Sequence, residues 1–109
     1  MKNTSLWSYG KRIQVYIGNI LSNALRYANT FIEIKCMKTQ NTTKIQIFND
    51  GDKISKESIP HIFERFYTDN KGNTGIELSM ASDIIKHHNG TIDVKNKDNG
   101  VSFIIQLPI

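Results

Sequence analysis

Residues 13–28 read IQVYIGNILSNALRYA, and the spacing of the apolar residues in this stretch sets how the rest of the chain is read. Ile13, Ile17, Ile20, Leu21, Ala24 and Ala28 recur at intervals of three and four, which paints one apolar stripe along an α-helix. Asn19 and Asn23 stand four apart, so their amides lie one above the other on a neighbouring face. Arg26 and Tyr27 carry that polar row through the next turn. A solvated flank of a packing helix accounts for an isolated asparagine pair. A second meaning for the row comes from further down the chain.

Outward from this helix the period changes from about 3.6 to 2. Ile32, Ile34 and Cys36 alternate with Glu33 and Lys35, which predicts a strand with one buried face. Thr39 to Thr43 is a polar turn, and Lys44 to Phe48 alternates again with Ile45 and Ile47 inward, so the two segments predict an antiparallel hairpin. Asn49-Asp50-Gly51-Asp52 is a dense turn signal. Ser58-Ile59-Pro60 opens a short helix through Phe66, with Ser58 as N-cap and Pro60 in the first turn. Residues 68–75 contain no apolar side chain and read as a loop. Leu78, Ala81, Ile84, Ile85 and His88 recur at helical spacing, and Asn89-Gly90 closes that helix with a left-handed cap. Thr91–Lys95 and Val101–Leu107 alternate as strands around the turn Asp98-Asn99-Gly100. The first ten residues show no sustained period. Helices and strands segregate in pairs, which predicts an α+β fold, a two-layer sandwich.

A chain of 109 residues suits one domain spanning 1–109, and its 39% apolar and 22% charged residues suit a globular fold. Fourteen basic against ten acidic side chains leave +4. The lysines are scattered, with no basic face and no interleaved aromatics, so nucleic acid is not an expected partner. Cys36 stands alone and reads as a core thiol in its strand. No stretch matches a membrane span or a signal peptide.

Four stretches carry polar or glycine-rich chemistry in a fixed order: NILSNALRYA (19–28), NDGDKI (49–54), IFERFY (62–67) and GNTGIELS (72–79). Each alone is a weak signal. Together, with the closing HHNGTIDVKN and GVSFIIQLP, they resemble the ATP-binding domain of sensor histidine kinases, in the wider family of gyrase, heat-shock protein 90 and MutL ATPases. The resemblance runs over roughly residues 7–108. It implies a Bergerat-type α/β sandwich, a mixed sheet on about three helices, with ATP and Mg²⁺ as cofactors.

The resemblance also implies roles for single residues. Asn23 supplies an amide oxygen to Mg²⁺, a metal that takes few protein ligands and keeps its waters. Asn19 positions the metal's water shell or a phosphate, Arg26 neutralises a phosphate, and Tyr27 borders the nucleotide. Asn49 stands where relatives carry an aspartate that accepts from the adenine amino group, with Asp50, Gly51 and Ile54 beside it. Phe63 and Phe66 anchor a lid over residues 68–74 that includes Lys71, Gly72 and Thr74. Gly75 keeps the hinge and exposes backbone N–H groups at the helix N-terminus, where Ile76 and Leu78 follow. Lys71 and Arg65 are candidates for the γ-phosphate, and Arg65 is equally read as a surface ion-pair partner. Asn19, Arg26 and Arg65 make up the catalytic set.

The glycine boxes depart from the family pattern at four places. Asn49 replaces the aspartate, Lys53 a second glycine, and Asn73 and Glu77 two glycines of the phosphate loop. Glu77 in a helix first turn suits the dipole but repels a triphosphate, so either it points away or it weakens nucleotide binding. His61, His87 and His88 have no ligand spacing, and none resembles a phosphoacceptor.

The implied function is transfer of the γ-phosphoryl group of Mg-ATP to a histidine on a separate dimerisation domain, with a response regulator downstream. The chain is expected to be a fragment without that domain and without part of its first strand, monomeric and cytoplasmic, with membrane anchoring left open for the intact kinase. A non-catalytic interaction module with degenerate glycine boxes, and a serine kinase of the anti-sigma type, are the alternatives.

Overall fold

The first helix spans Gly10–Tyr27 (α1). The computed structural model describes residues 10–67 and 76–108, with side chains in α1 from Ile17 onward. Ile17, Ile20 and Ala24 are buried and Leu21 packs against them. Leu25 lies one position past the stripe, on the solvent side, and is exposed.

The chain continues through β1 (Ile32–Lys38), β2 (Thr42–Asn49), a 3₁₀ turn at Ile59–His61, α2 (Glu77–His87), β3 (Thr91–Lys97) and β4 (Gly100–Pro108). The strands lie in the order β1-β2-β4-β3. Helices α1 and α2 pack on each other and cover one face of the sheet, α1 over β2 and α2 over β3. This is the two-layer α+β sandwich predicted from the pattern. Two details differ from the implied version. Every strand pair among the described residues is antiparallel, so the sheet is not mixed there. The helix expected over 58–66 shrinks to the single 3₁₀ turn, because the Ser58 hydroxyl makes no cap and instead bonds the Tyr67 hydroxyl at 2.6 Å.

Register builds the core. Ile45 and Ile92 flank Ile105, and Ile47 and Val94 flank Phe103, so two rows of branched and aromatic side chains face the helices. Ile20, Ile47, Ile85, Ile105 and Leu107 are fully buried, each worth about 1.5–3 kcal/mol of transfer free energy. A slip of one residue would turn either row to the opposite face. At the far end of α2, Asn89 takes a left-handed backbone with φ 63°. The Gly90 N–H then returns to the Ile85 carbonyl at 2.8 Å, the predicted cap.

The expected buried face of β1 is not buried. Ile34, Cys36 and Met37 are exposed, and only Ile32 at the strand's start packs on the core. Cys36 is therefore an exposed free thiol and not a core one. The alternation is real, but β1 is the edge strand on the side away from α2, and the two helices lie mainly over β2 and β3. No helix among the described residues is long and apolar enough to cross a membrane.

Candidate functional site

Three strands meet in one row at the end of the sheet. Val101 is paired with Asn49 on one side and Asn96 on the other. Asn49 follows Ile47 and Asn96 follows Val94 by two positions, and Val101 precedes Phe103 by two, so all three share the helix-facing side. Asn96 clasps the segment that leaves β2: its Oδ1 accepts from the Ile54 N–H at 2.9 Å and its Nδ2 donates to the Ile54 carbonyl at 2.7 Å. Those two bonds hold that segment across the sheet end as a wall.

Between this wall, α1 and the start of α2 lies a cleft of about 230 Å³. Ile54, Ile62, Leu78, Val101 and Phe103 make it apolar. Phe63 supports Phe103 from outside the cleft, ring edge to face at 6.2 Å between centroids. Two amides are set into this apolar lining, Asn23 from α1 and Asn49 from β2. Asn23 is 4% exposed and Asn49 3%, and the Nδ2 of each has no hydrogen-bond partner. A buried polar group left unsatisfied costs about 1–3 kcal/mol. Two of them on one cavity wall stabilise nothing by themselves and mark a place where a ligand would complete the bonding.

The other expected site residues are distributed around this cleft. Tyr27, Ile54 and Leu78 line it with the two asparagines. Asn19, one turn before Asn23, is half-buried and outside the lining. Gly51 lies behind Asn49. A Cβ there would come within 2.0 Å of the Tyr27 carbonyl oxygen, so the glycine is required by contact with the end of α1.

Asp50 points elsewhere: its carboxylate accepts from the N–H groups of Asn29, Thr30 and Phe31 and from the Thr30 hydroxyl. Those donors, Thr30 foremost, hold its pKa down at about 2. It is thereby committed to the loop between α1 and β1. Phe66 is exposed with a left-handed backbone, φ 67°, and Arg65 sits over its ring at 5.9 Å. Ile76 precedes α2 and lies outside the lining. Lys71, Gly72, Thr74 and Gly75, with Asn73, lie outside the described residues.

Glu77 has turned to Arg26. Its Oε1 accepts from the Arg26 guanidinium at 3.1 Å, with the two side chains 26% and 40% exposed. That hydrogen bond, more than any other influence, raises the Arg26 pKa. The carboxylate expected to repel phosphate and the cation expected to bind it are thus each other's partner.

Sequence reading missed Asn96, whose signal was the alternation Ile92-Val94-Asn96 that carries a polar side chain inward. It also missed Ser58 and Tyr67, hydroxyls bonded to each other at the cleft rim. Nothing in their local sequence pairs these two.

A family profile described as histidine kinase-, DNA gyrase B- and HSP90-like ATPase matches residues 9–109. The chain belongs to this family. Sensor histidine kinase CssS of Bacillus subtilis is 38% identical to this ATPase-family domain over 90 residues, 83% of the domain and 20% of CssS. The nucleotide-free catalytic domain of histidine kinase ThkA superposes with a TM-score of 0.77 at 31% identity, covering 89% of this domain and 67% of that chain. ThkA in complex with response regulator protein TrrA gives 0.74 at 31% identity, covering 89% of this domain and 28% of that chain. The domain spans about a fifth of the length of the curated relatives it matches.

Proposed function

We propose that this domain binds Mg-ATP in the cleft between α1, the 50–58 wall and α2, as the catalytic domain of a sensor histidine kinase. It would present the γ-phosphoryl group to a histidine on a separate dimerisation domain, with a response regulator as the later acceptor. The observation that carries this reading is the pair of buried asparagines, Asn23 and Asn49, on the lining of one largely apolar cleft, each with an Nδ2 that has no hydrogen-bond partner. The cleft volume falls below the about 300 Å³ of a site that encloses a drug-sized ligand. It fits a purine base, with the phosphates running out past Asn23 toward Arg26.

The residues present suit Mg²⁺. Among the described residues no three acidic, His or Cys side chains gather to hold a metal by themselves. A Mg²⁺ bound with a triphosphate needs no such cage, since phosphate oxygens and water supply most of its ligands. Asn23 is a neutral oxygen donor in the right wall, and Asn19 lies a turn away to orient bound water. The metal would neutralise charge on the transferring phosphoryl group. The protein's own part is placement: Ile54, Leu78 and Phe103 enclose the base and exclude water, Asn49 orients it, and Tyr27 closes the side. Arg26 meets phosphate by exchanging its bond to Glu77 for a stronger charge-assisted one. Support for the histidine acceptor comes from the named relatives, and the fold alone would serve other members of the family.

Calorimetric titration with Mg²⁺ and a non-hydrolysable ATP analogue tests the assignment. Wild-type protein binds, and Asn23→Ala loses Mg-dependent binding while its thermal transition stays cooperative. Unaltered binding in Asn23→Ala would return α1 to the role of a packing helix.

A further inference from the structure

We propose that the cleft reads position six of the purine with an amide, and therefore admits 6-oxopurine nucleoside triphosphates alongside ATP. The inference rests on the nucleotide reading above and concerns only which base the site accepts. Asn49 ends β2, is 3% exposed, lines the cleft, and holds an Nδ2 with no hydrogen-bond partner. That nitrogen is itself buried and lies against Gly51, where an added Cβ would approach it to 2.9 Å.

A carboxylate in this position offers acceptor lone pairs only. It would pair with a 6-amino group and repel a 6-oxo group, which gives a sharp preference for adenine. The amide of Asn49 carries one acceptor and two donors, and a half turn about χ2 exchanges them. Its Oδ1 accepts from an amino group, or its Nδ2 donates to a carbonyl oxygen. Nearby acids do not restore an acceptor-only floor. Asp50 gives its carboxylate to the backbone of residues 29–31, and Asp52 is an exposed residue of the cleft lining. Discrimination of many orders of magnitude arises where the wrong ligand leaves a buried polar group unpaired. A group able to match both ligands gives that discrimination up.

Mg-ATP and Mg-ITP differ at position six and its neighbouring ring nitrogen, and are compared by competition against a fluorescent ATP analogue. On the wild-type protein their affinities should agree within about fivefold, and Asn49→Asp should move the ratio toward ATP by about tenfold or more. Asn49→Ala, which removes donor and acceptor together, should weaken both nucleotides alike, and it serves as the variant if Asn49→Asp does not fold. Wild-type protein that binds ATP and excludes ITP by about a hundredfold overturns the proposal and leaves the nucleotide site standing. Wild-type protein that binds neither overturns the nucleotide reading itself and the proposal with it.

Discussion

Replacing Glu77 by Gln should move stability and nucleotide affinity in opposite directions. The Arg26–Glu77 pair is open to solvent on both sides, 40% and 26% exposed, so its contribution to folding is about 0.2–1 kcal/mol. A carboxylate in the first turn of α2 adds about 0.3–1 kcal/mol through the helix dipole. Glu77→Gln therefore costs about 0.5–2 kcal/mol, a fall of several degrees in melting temperature for a domain of this size. Binding gains on two counts. The ligand no longer competes with Glu77 for Arg26, which returns about 0.2–1 kcal/mol. A carboxylate about 6 Å from a phosphate charge also repels it by roughly 0.7 kcal/mol in water and roughly 2.8 kcal/mol at an effective dielectric of about 20, and this exposed site lies nearer the lower figure. The sum is about 1–2 kcal/mol, a five- to thirtyfold tighter complex. Thermal denaturation without nucleotide measures the first effect and calorimetric titration with a Mg²⁺–ATP analogue the second. Both effects should shrink when ionic strength is raised to about 1 M. A variant less stable yet no tighter in binding would show that Arg26 is not a phosphate partner, and the reading of that corner would fail.

Two further perturbations test the frame around the cleft. Gly51→Ala places a methyl 2.0 Å from the Tyr27 carbonyl oxygen and 2.9 Å from the Asn49 amide, so it should cost about 1–3 kcal/mol in urea unfolding and weaken nucleotide binding as well. Gly18→Ala is the control, because nothing lies within 4 Å of the added Cβ and α1 should gain up to about 1 kcal/mol. If Gly51→Ala were as benign as Gly18→Ala, the close approach of the turn to α1 would be disproved. The Asp50 carboxyl, held at about 2 against an ordinary 3.8, stabilises the loop fully above the ordinary value and less as pH falls through the depressed one. The gap in urea midpoint between wild type and Asp50→Ala should be full at neutral pH and close in the acid range, and a gap independent of pH would contradict the geometry.

How much was legible varied from residue to residue, for identifiable reasons. The Ile17–Ile20–Ala24 stripe, the hairpin of residues 32–49 and the Asn89 cap were all readable, since each rests on neighbours within a few positions. Cys36 was misplaced because alternation reports a strand's two faces without saying whether anything covers them. The 58–66 helix was over-read because Ser58 had a competing partner, Tyr67, nine residues away, and took it. Asn23, Tyr27, Asn49, Ile54 and Leu78 were named from their boxes and do share one cleft, whereas Asp50 turned out to serve the loop beside it.

By itself the sequence determined the elements, their order, the two-layer class and the family, because periodicity and short motifs are local and survive without a three-dimensional frame. Only the tertiary structure decided which side chains meet. Register across β2, β4 and β3 set Asn49, Val101 and Asn96 in one row, and the packing of α2 on α1 brought Glu77 to Arg26 across 51 residues. Such contacts follow from how whole faces bury against each other, and no stretch of chain encodes a pairing with a partner it meets only after folding.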